Sequence, residues 1–150
     1  MIVVRTNVFY NYLRIFCSSS TWRYQVSFFD WKEPDVSVKS FDEIKGIVEN
    51  AVPDRDRAKK ILLACDEILA NIASYSGADK AGFFCRVSGD RVSVGFRDNG
   101  TAFDPTSAGQ KEFDFDDMEF GGMGLNMVRE LKRSWSYSRI GDENILILEF

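Results

Sequence analysis

The sequence predicts an α+β two-layer sandwich, a mixed and mostly antiparallel sheet with helices on one face. Three observations lead there: two helical stripes follow a first strand, later strands come as consecutive hairpins, and one more helix stands between those hairpins. At 150 residues and 45% hydrophobic content, the chain has material for one substantial core. One domain is expected over residues 23–150, preceded by an extension over residues 1–22.

In the extension, Ile2, Val4, Val8, Tyr10 and Tyr12 follow a strand period. Phe9, Tyr12, Leu13 and Phe16 follow a helical one, and periodicity does not choose between them. A polar break at Cys17–Thr21 precedes a first strand over Tyr24–Trp31. Ser40 with Glu43 forms a capping box, which places the first helix start there, with Phe41, Ile44, Ile47, Val48 and Ala51 on one face. Pro53 ends that helix. A second begins near Asp54 and carries Ala58, Ile61, Leu62, Cys65, Ile68, Leu69 and Ile72 before Gly77 closes it. Phe83, Cys85 and Val87 alternate toward a Ser88-Gly89-Asp90 turn and return through Val92, Val94 and Phe96, a hairpin. Residues 104–120 carry one lysine, Lys111, against six acids with little periodicity, a mobile loop. Leu125, Val128 and Leu131 mark the last helix, and a closing hairpin joins Trp135–Arg139 to Ile145–Phe150 across Gly141-Asp142.

Composition removes several chemistries. The chain has no histidine, so no Ser-His-Asp or Cys-His nucleophile, histidine-held zinc or phosphohistidine can reside on it. Its net charge of −4 opposes broad adhesion to nucleic acid or anionic membrane, and neither partner is expected. Cys17, Cys65 and Cys85 are widely spaced and odd in number, which reads as reduced thiols in the cytoplasm. No apolar run reaches transmembrane length and no secretory signal fits the N-terminus.

Three short constellations carry chemistry. Glu67 and Asn71 stand one turn apart on the second helix, roughly 5–6 Å between Cβ atoms. A carboxylate and an amide oxygen so placed suit a magnesium-bound nucleotide, though a solvated helix face shows the same pair. Asp98 continues the inward alternation of Val92, Val94 and Phe96 and therefore needs a donor, either internal or on a ligand such as an adenine amino group. Gly100 would let a flat ring approach; the same Asp98-Asn99-Gly100 is also an ordinary turn. Gly121-Gly122-Met123-Gly124 leaves bare N–H groups at a helix start, a place for phosphate oxygens or simply the end of a loop. It is neither a Walker A loop nor a dinucleotide fingerprint.

Taken in order, these motifs resemble the Bergerat-fold ATPases, the superfamily of gyrase B and the histidine-kinase ATP-binding domains. Glu67-Ile-Leu-Ala-Asn71 is similar to the N box, Asp98–Pro105 to the first glycine box and Gly121–Leu125 to the second. Within that group the Asp98-Asn99-Gly100-x-x-Phe103-Asp104-Pro105 wording and the Tyr137–Leu148 ending look most like bacterial anti-sigma-factor serine kinases, a likeness that spans about residues 24–150. The resemblance implies ATP and Mg2+ as cofactors, with Asn71 on the metal, Glu67 as base and Asp98 on the adenine amino group. It further implies that Gly100 and Phe103 border the base, that Gly121, Gly122, Met123, Gly124 and Leu125 form the phosphate corner, and that residues 104–120 form a lid. The partners it implies are a STAS-domain anti-anti-sigma protein phosphorylated on serine, a sigma factor, and a second copy in a homodimer.

Two positions depart from that pattern. Tyr75 stands where many relatives carry histidine, and Ile147 where a threonine often helps hold adenine, a change that would weaken nucleotide affinity. The acidic lid and Ile147 together suggest an alternative, a nucleotide-responsive partner-binding module without phosphotransfer. A histidine-kinase catalytic piece is disfavoured by the absence of a phospho-acceptor helix or histidine.

Overall fold

A computed structural model of the chain describes residues 25–30, 35–107 and 122–150. The elements are β1 (Gln25–Asp30), α1 (Val36–Ala51), α2 (Arg55–Asn71), a π-helical turn (Ile72–Ser76), β2 (Lys80–Ser88), β3 (Arg91–Asp98), α3 (Gly122–Leu131), β4 (Ser134–Ile140) and β5 (Glu143–Glu149). Five strands form one sheet in the order β1-β2-β3-β5-β4, and every pairing is antiparallel. The expected two layers are present, and every strand pairing among the described residues is antiparallel. The expected extension over residues 1–22 and most of the expected lid lie outside the described residues.

The period-two pattern decides which sheet face meets the helices. Phe83 and Cys85 of β2, Val92, Val94 and Phe96 of β3 and Leu146 and Leu148 of β5 point to one side and are buried against Ile44 and Val48 of α1, Ile61, Cys65 and Ile68 of α2 and Val128 of α3. Full burial of a side chain of this size is worth about 1.5–3 kcal/mol, so this layer contact dominates the stability. Phe83 and Phe96 add an edge-to-face ring contact at 5.2 Å.

The first helix starts one turn earlier than its capping-box signature predicts. Asp35 is the residue before it, left-handed at φ 59° and without a side-chain cap, and Ser40 lies inside the helix. The inward row runs through the partly buried Val36 and the buried Ser40 and Ile44 at spacings of four, so Ser40 belongs to that stripe by position although not by polarity. Its hydroxyl is buried with no hydrogen-bond partner among the described residues. The second helix starts where expected, because Asp54 Oδ1 accepts the N–H groups of Asp56 and Arg57 at 3.0 and 3.1 Å.

How α2 ends positions the site. After Asn71 the helix widens into the π-helical turn, where Ser76 Oγ donates to Ile72 O at 2.8 Å, and Gly77 reverses the chain at φ 64°. Ser76 O then accepts Thr101 N at 2.7 Å. This bond ties the C-terminal end of α2 to the loop leaving β3, so two of the three constellations converge at one end of the sheet.

Candidate functional site

Asp98 ends β3 on the helix-covered face and is 7% exposed. A carboxylate this deep needs donors, and among the described residues it has two. Gly100 N donates to Oδ1 at 2.9 Å and Asn144 Nδ2 to the same oxygen at 3.0 Å. Asn144 is the direct cross-strand partner of Asp98 on β5, and is itself 6% exposed. Its amide also donates to Thr101 O at 2.9 Å, while its Oδ1 accepts from Tyr137 Oη at 2.8 Å and from an Arg139 guanidinium nitrogen at 2.7 Å. The same Arg139 nitrogen donates to Gly100 O at 3.1 Å. Asn99 secures the turn from its other side: its Oδ1 accepts Asp79 N and Lys80 N at 2.9 and 3.0 Å.

Gly100 is required by the protein itself. A Cβ there would stand 2.4 Å from Ser76 O and 2.8 Å from Asp98 Oδ1, so the missing side chain makes room for the π-helical turn. Ring access, the reason expected from sequence, is not what fills that direction.

The second group sits on α2 and α3. Glu67 lies against the first turn of α3, where a Cβ on Gly124 would come within 1.8 Å of its Oε2. Glycine at 124 therefore admits the carboxylate to a helix N-terminus, where negative charge is favoured. Asn71, one turn along α2, has its Nδ2 buried without a hydrogen-bond partner among the described residues. Buried amides seldom stay unmatched, so this one asks for a ligand oxygen or for reversal of the amide with its oxygen toward a cation. No group of three or more acidic, cysteine or histidine side chains forms a metal cage among the described residues. A lone amide oxygen suits an ion that arrives with phosphates and keeps several waters, which is the habit of magnesium.

Other expected site residues divide between inside and outside. Phe103 is 54% exposed, whereas the Leu125 side chain belongs to the core. Gly122 opens α3; Gly121 lies outside the described residues. Of the expected lid, residues 104–107 form a turn: Asp104 Oδ1 accepts Thr106 N and Oγ1 at 2.9 and 2.6 Å. Partial desolvation raises the Asp104 pKa, but the hydrogen bonds from Thr106 and Ser107 outweigh it and hold the carboxyl below its ordinary value. Pro105 O accepts from Arg129 at 3.3 Å, which fastens this turn to α3. Ile147 pairs with Gly95 and Ser136, three residues out of phase with the Asp98–Asn144 pair, and so faces the opposite side of the sheet. The position beside Asp98 belongs to Asn144.

Sequence reasoning gave no role to Asn144, Tyr137 or Arg139. The signal was cross-strand register: Asn144 is second on its strand and pairs with both Asp98 and Arg139, a relation invisible without the β3–β5 pairing.

A two-layer α+β domain with an acid–amide pair on a helix, a tethered carboxylate at a strand end and a glycine-lined helix start defines a nucleotide-handling protein class. Residues 33–150 match the family described as Histidine kinase-like ATPase domain. The chain belongs to that family, and ATP is the nucleotide such a domain binds. No curated protein matches the chain. Among solved structures, the Acinetobacter baumannii histidine kinase AdeS is similar at 18% identity and a TM-score of 0.45, over 85% of this chain and 67% of that one. No described helix is long and apolar enough to cross a membrane.

Proposed function

We propose that the protein is an ATP-dependent serine kinase of the anti-sigma type, which phosphorylates a STAS-domain anti-anti-sigma protein and binds a sigma factor. The observation that carries the phosphotransfer part is the contact of Glu67 with Gly124, because it sets a carboxylate beside the helix start that would receive the phosphates. In the reaction the serine hydroxyl oxygen bonds to the γ-phosphorus, the bond from that phosphorus to the β,γ-bridging oxygen breaks, ADP leaves, and Glu67 takes the hydroxyl proton. The N–H groups at the start of α3 hold phosphate oxygens, Asp98 accepts from the adenine amino group, and Asn71 holds the magnesium ion. Magnesium bound with the triphosphate supplies charge neutralisation at the phosphoryl oxygens. The wording of the Asp98–Pro105 motif and of the Tyr137–Leu148 stretch supports the anti-sigma assignment and its STAS-domain partner; a homodimer and a cytoplasmic setting belong to the same reading.

The position of Ile147 removes one of the two reasons for a module without phosphotransfer. Labelled ATP, magnesium and candidate STAS-domain proteins test the proposal. Label appears on a STAS serine with the parent chain. Glu67→Ala lowers transfer by about 100- to 10,000-fold while ATP binding changes little. Unchanged transfer by Glu67→Ala refutes the base, and ATP-dependent complex formation without label favours the module.

A further inference from the structure

We propose that Asn144 is a positioning residue for purine recognition, held in one amide orientation by Tyr137 and Arg139, and that it aims Asp98 toward a base bearing an exocyclic amine. This rests on the nucleotide reading of the site and adds a residue to it. The hydrogen bonds determine the amide orientation chemically. Arg139 is a donor with no acceptor, and it meets one end of the Asn144 amide at 2.7 Å together with the Tyr137 hydroxyl at 2.8 Å. That end must be the oxygen. The NH2 group then has to face Asp98 Oδ1 at 3.0 Å and Thr101 O at 2.9 Å, both acceptors. Reversal would set donor against guanidinium and acceptor against carboxylate, so the network has a single arrangement.

The consequence falls on Asp98. Its Oδ1 receives both Gly100 N and Asn144 Nδ2, and among the described residues no donor is directed to Oδ2. One oxygen is filled and the other is left, with the carboxylate plane determined by two anchors on different strands or loops. An ionised carboxylate only accepts, so the free oxygen favours a purine with an amine at the reading edge and opposes one with a carbonyl there. Discrimination thus depends on keeping Asp98 from turning, and Asn144 supplies that restraint from a residue 46 positions away.

The test measures ATP and inosine triphosphate binding by calorimetry in the parent chain, Asn144→Ala, Asn144→Asp and Tyr137→Phe, with melting temperature as the fold control. The parent prefers ATP. Asn144→Ala weakens ATP by about 10- to 100-fold, the usual range for an orphaned buried partner, and weakens inosine triphosphate less, so the preference narrows. Asn144→Asp, which sets a second carboxylate against Asp98, weakens ATP further than Asn144→Ala. Tyr137→Phe keeps the ring packing and narrows the preference by a smaller factor. Equal weakening of both nucleotides in step with melting temperature overturns the positioning role and leaves the nucleotide reading standing. So does an unchanged preference in folded Asn144→Ala or in Tyr137→Phe. A parent chain that binds neither nucleotide overturns both.

Discussion

Gly124 and Asn71 show how single atoms decide packing at the proposed nucleotide site. Alanine at 124 sends a methyl group to within 1.8 Å of Glu67 Oε2, so the helix start or the carboxylate must move. Gly124→Ala is expected to lose about 1–3 kcal/mol of stability and to abolish ATP-dependent transfer in the protein that still folds, as denaturant melts paired with labelled-ATP assays would read. Asn71 predicts the opposite sign for stability. Its Nδ2 is buried and unmatched among the described residues, so Asn71→Leu removes a desolvation penalty and holds or raises the melting temperature. Magnesium-dependent ATP binding is expected to fall at least tenfold in the same variant. A variant that melts lower and still binds ATP normally would contradict both assignments.

At the scale of elements, the start of α1 is the sharpest test, because two readings of Ser40 predict opposite signs. As a helix cap, Ser40→Ala would cost about 1 kcal/mol. As an interior residue whose buried hydroxyl is unmatched among the described residues, it predicts that the same change stabilises by about 1 kcal/mol and lifts the melting temperature by about 2–4 °C. The structure places Ser40 inside, so a gain is expected in a thermal melt. Local signals carried far elsewhere: α2 has both an Asp54 cap and an unbroken stripe, and the two hairpins have glycine turns at Gly89 and Gly141 with φ of 61° and 62°. Such features lie within a few residues of one another and can be read along the chain. A capping box also lies within four residues, yet Ser-x-x-Glu is common on any polar helix surface and the partly buried Val36 extends the inward row beyond it. The site was legible to the same degree. Glu67, Asn71, Asp98 and Gly124 are marked by local spacing, whereas Asn144, Tyr137 and Arg139 acquire meaning only from strand register.

For the whole molecule, the buried thiols set an alkaline limit. Burial is the main cause that pushes the Cys65 thiol well above its ordinary value of 9.0, with Cys85 and Asp66 adding repulsion. Burial alone pushes Cys85 up to about 11. Both folded-state values exceed the unfolded one, so their contribution to stability is complete below about pH 9 and declines as pH rises toward 11. The urea midpoint is expected to be lower at pH 10.5 than at pH 8, and the drop to be smaller in Cys85→Ala. Equal declines in both proteins would assign the loss to other groups.

The strand order β1-β2-β3-β5-β4 places β5 inside the sheet, between two strands that precede it in the chain. A nascent chain whose residues 134–149 are still within the ribosome therefore presents β3 with an open edge and Asp98 without its asparagine. Insertion of β5 closes that edge and brings Asn144 to Asp98 in one event. A chain that stops within residues 134–149 is accordingly expected to expose a sheet edge and to leave Asp98 without one of its donors.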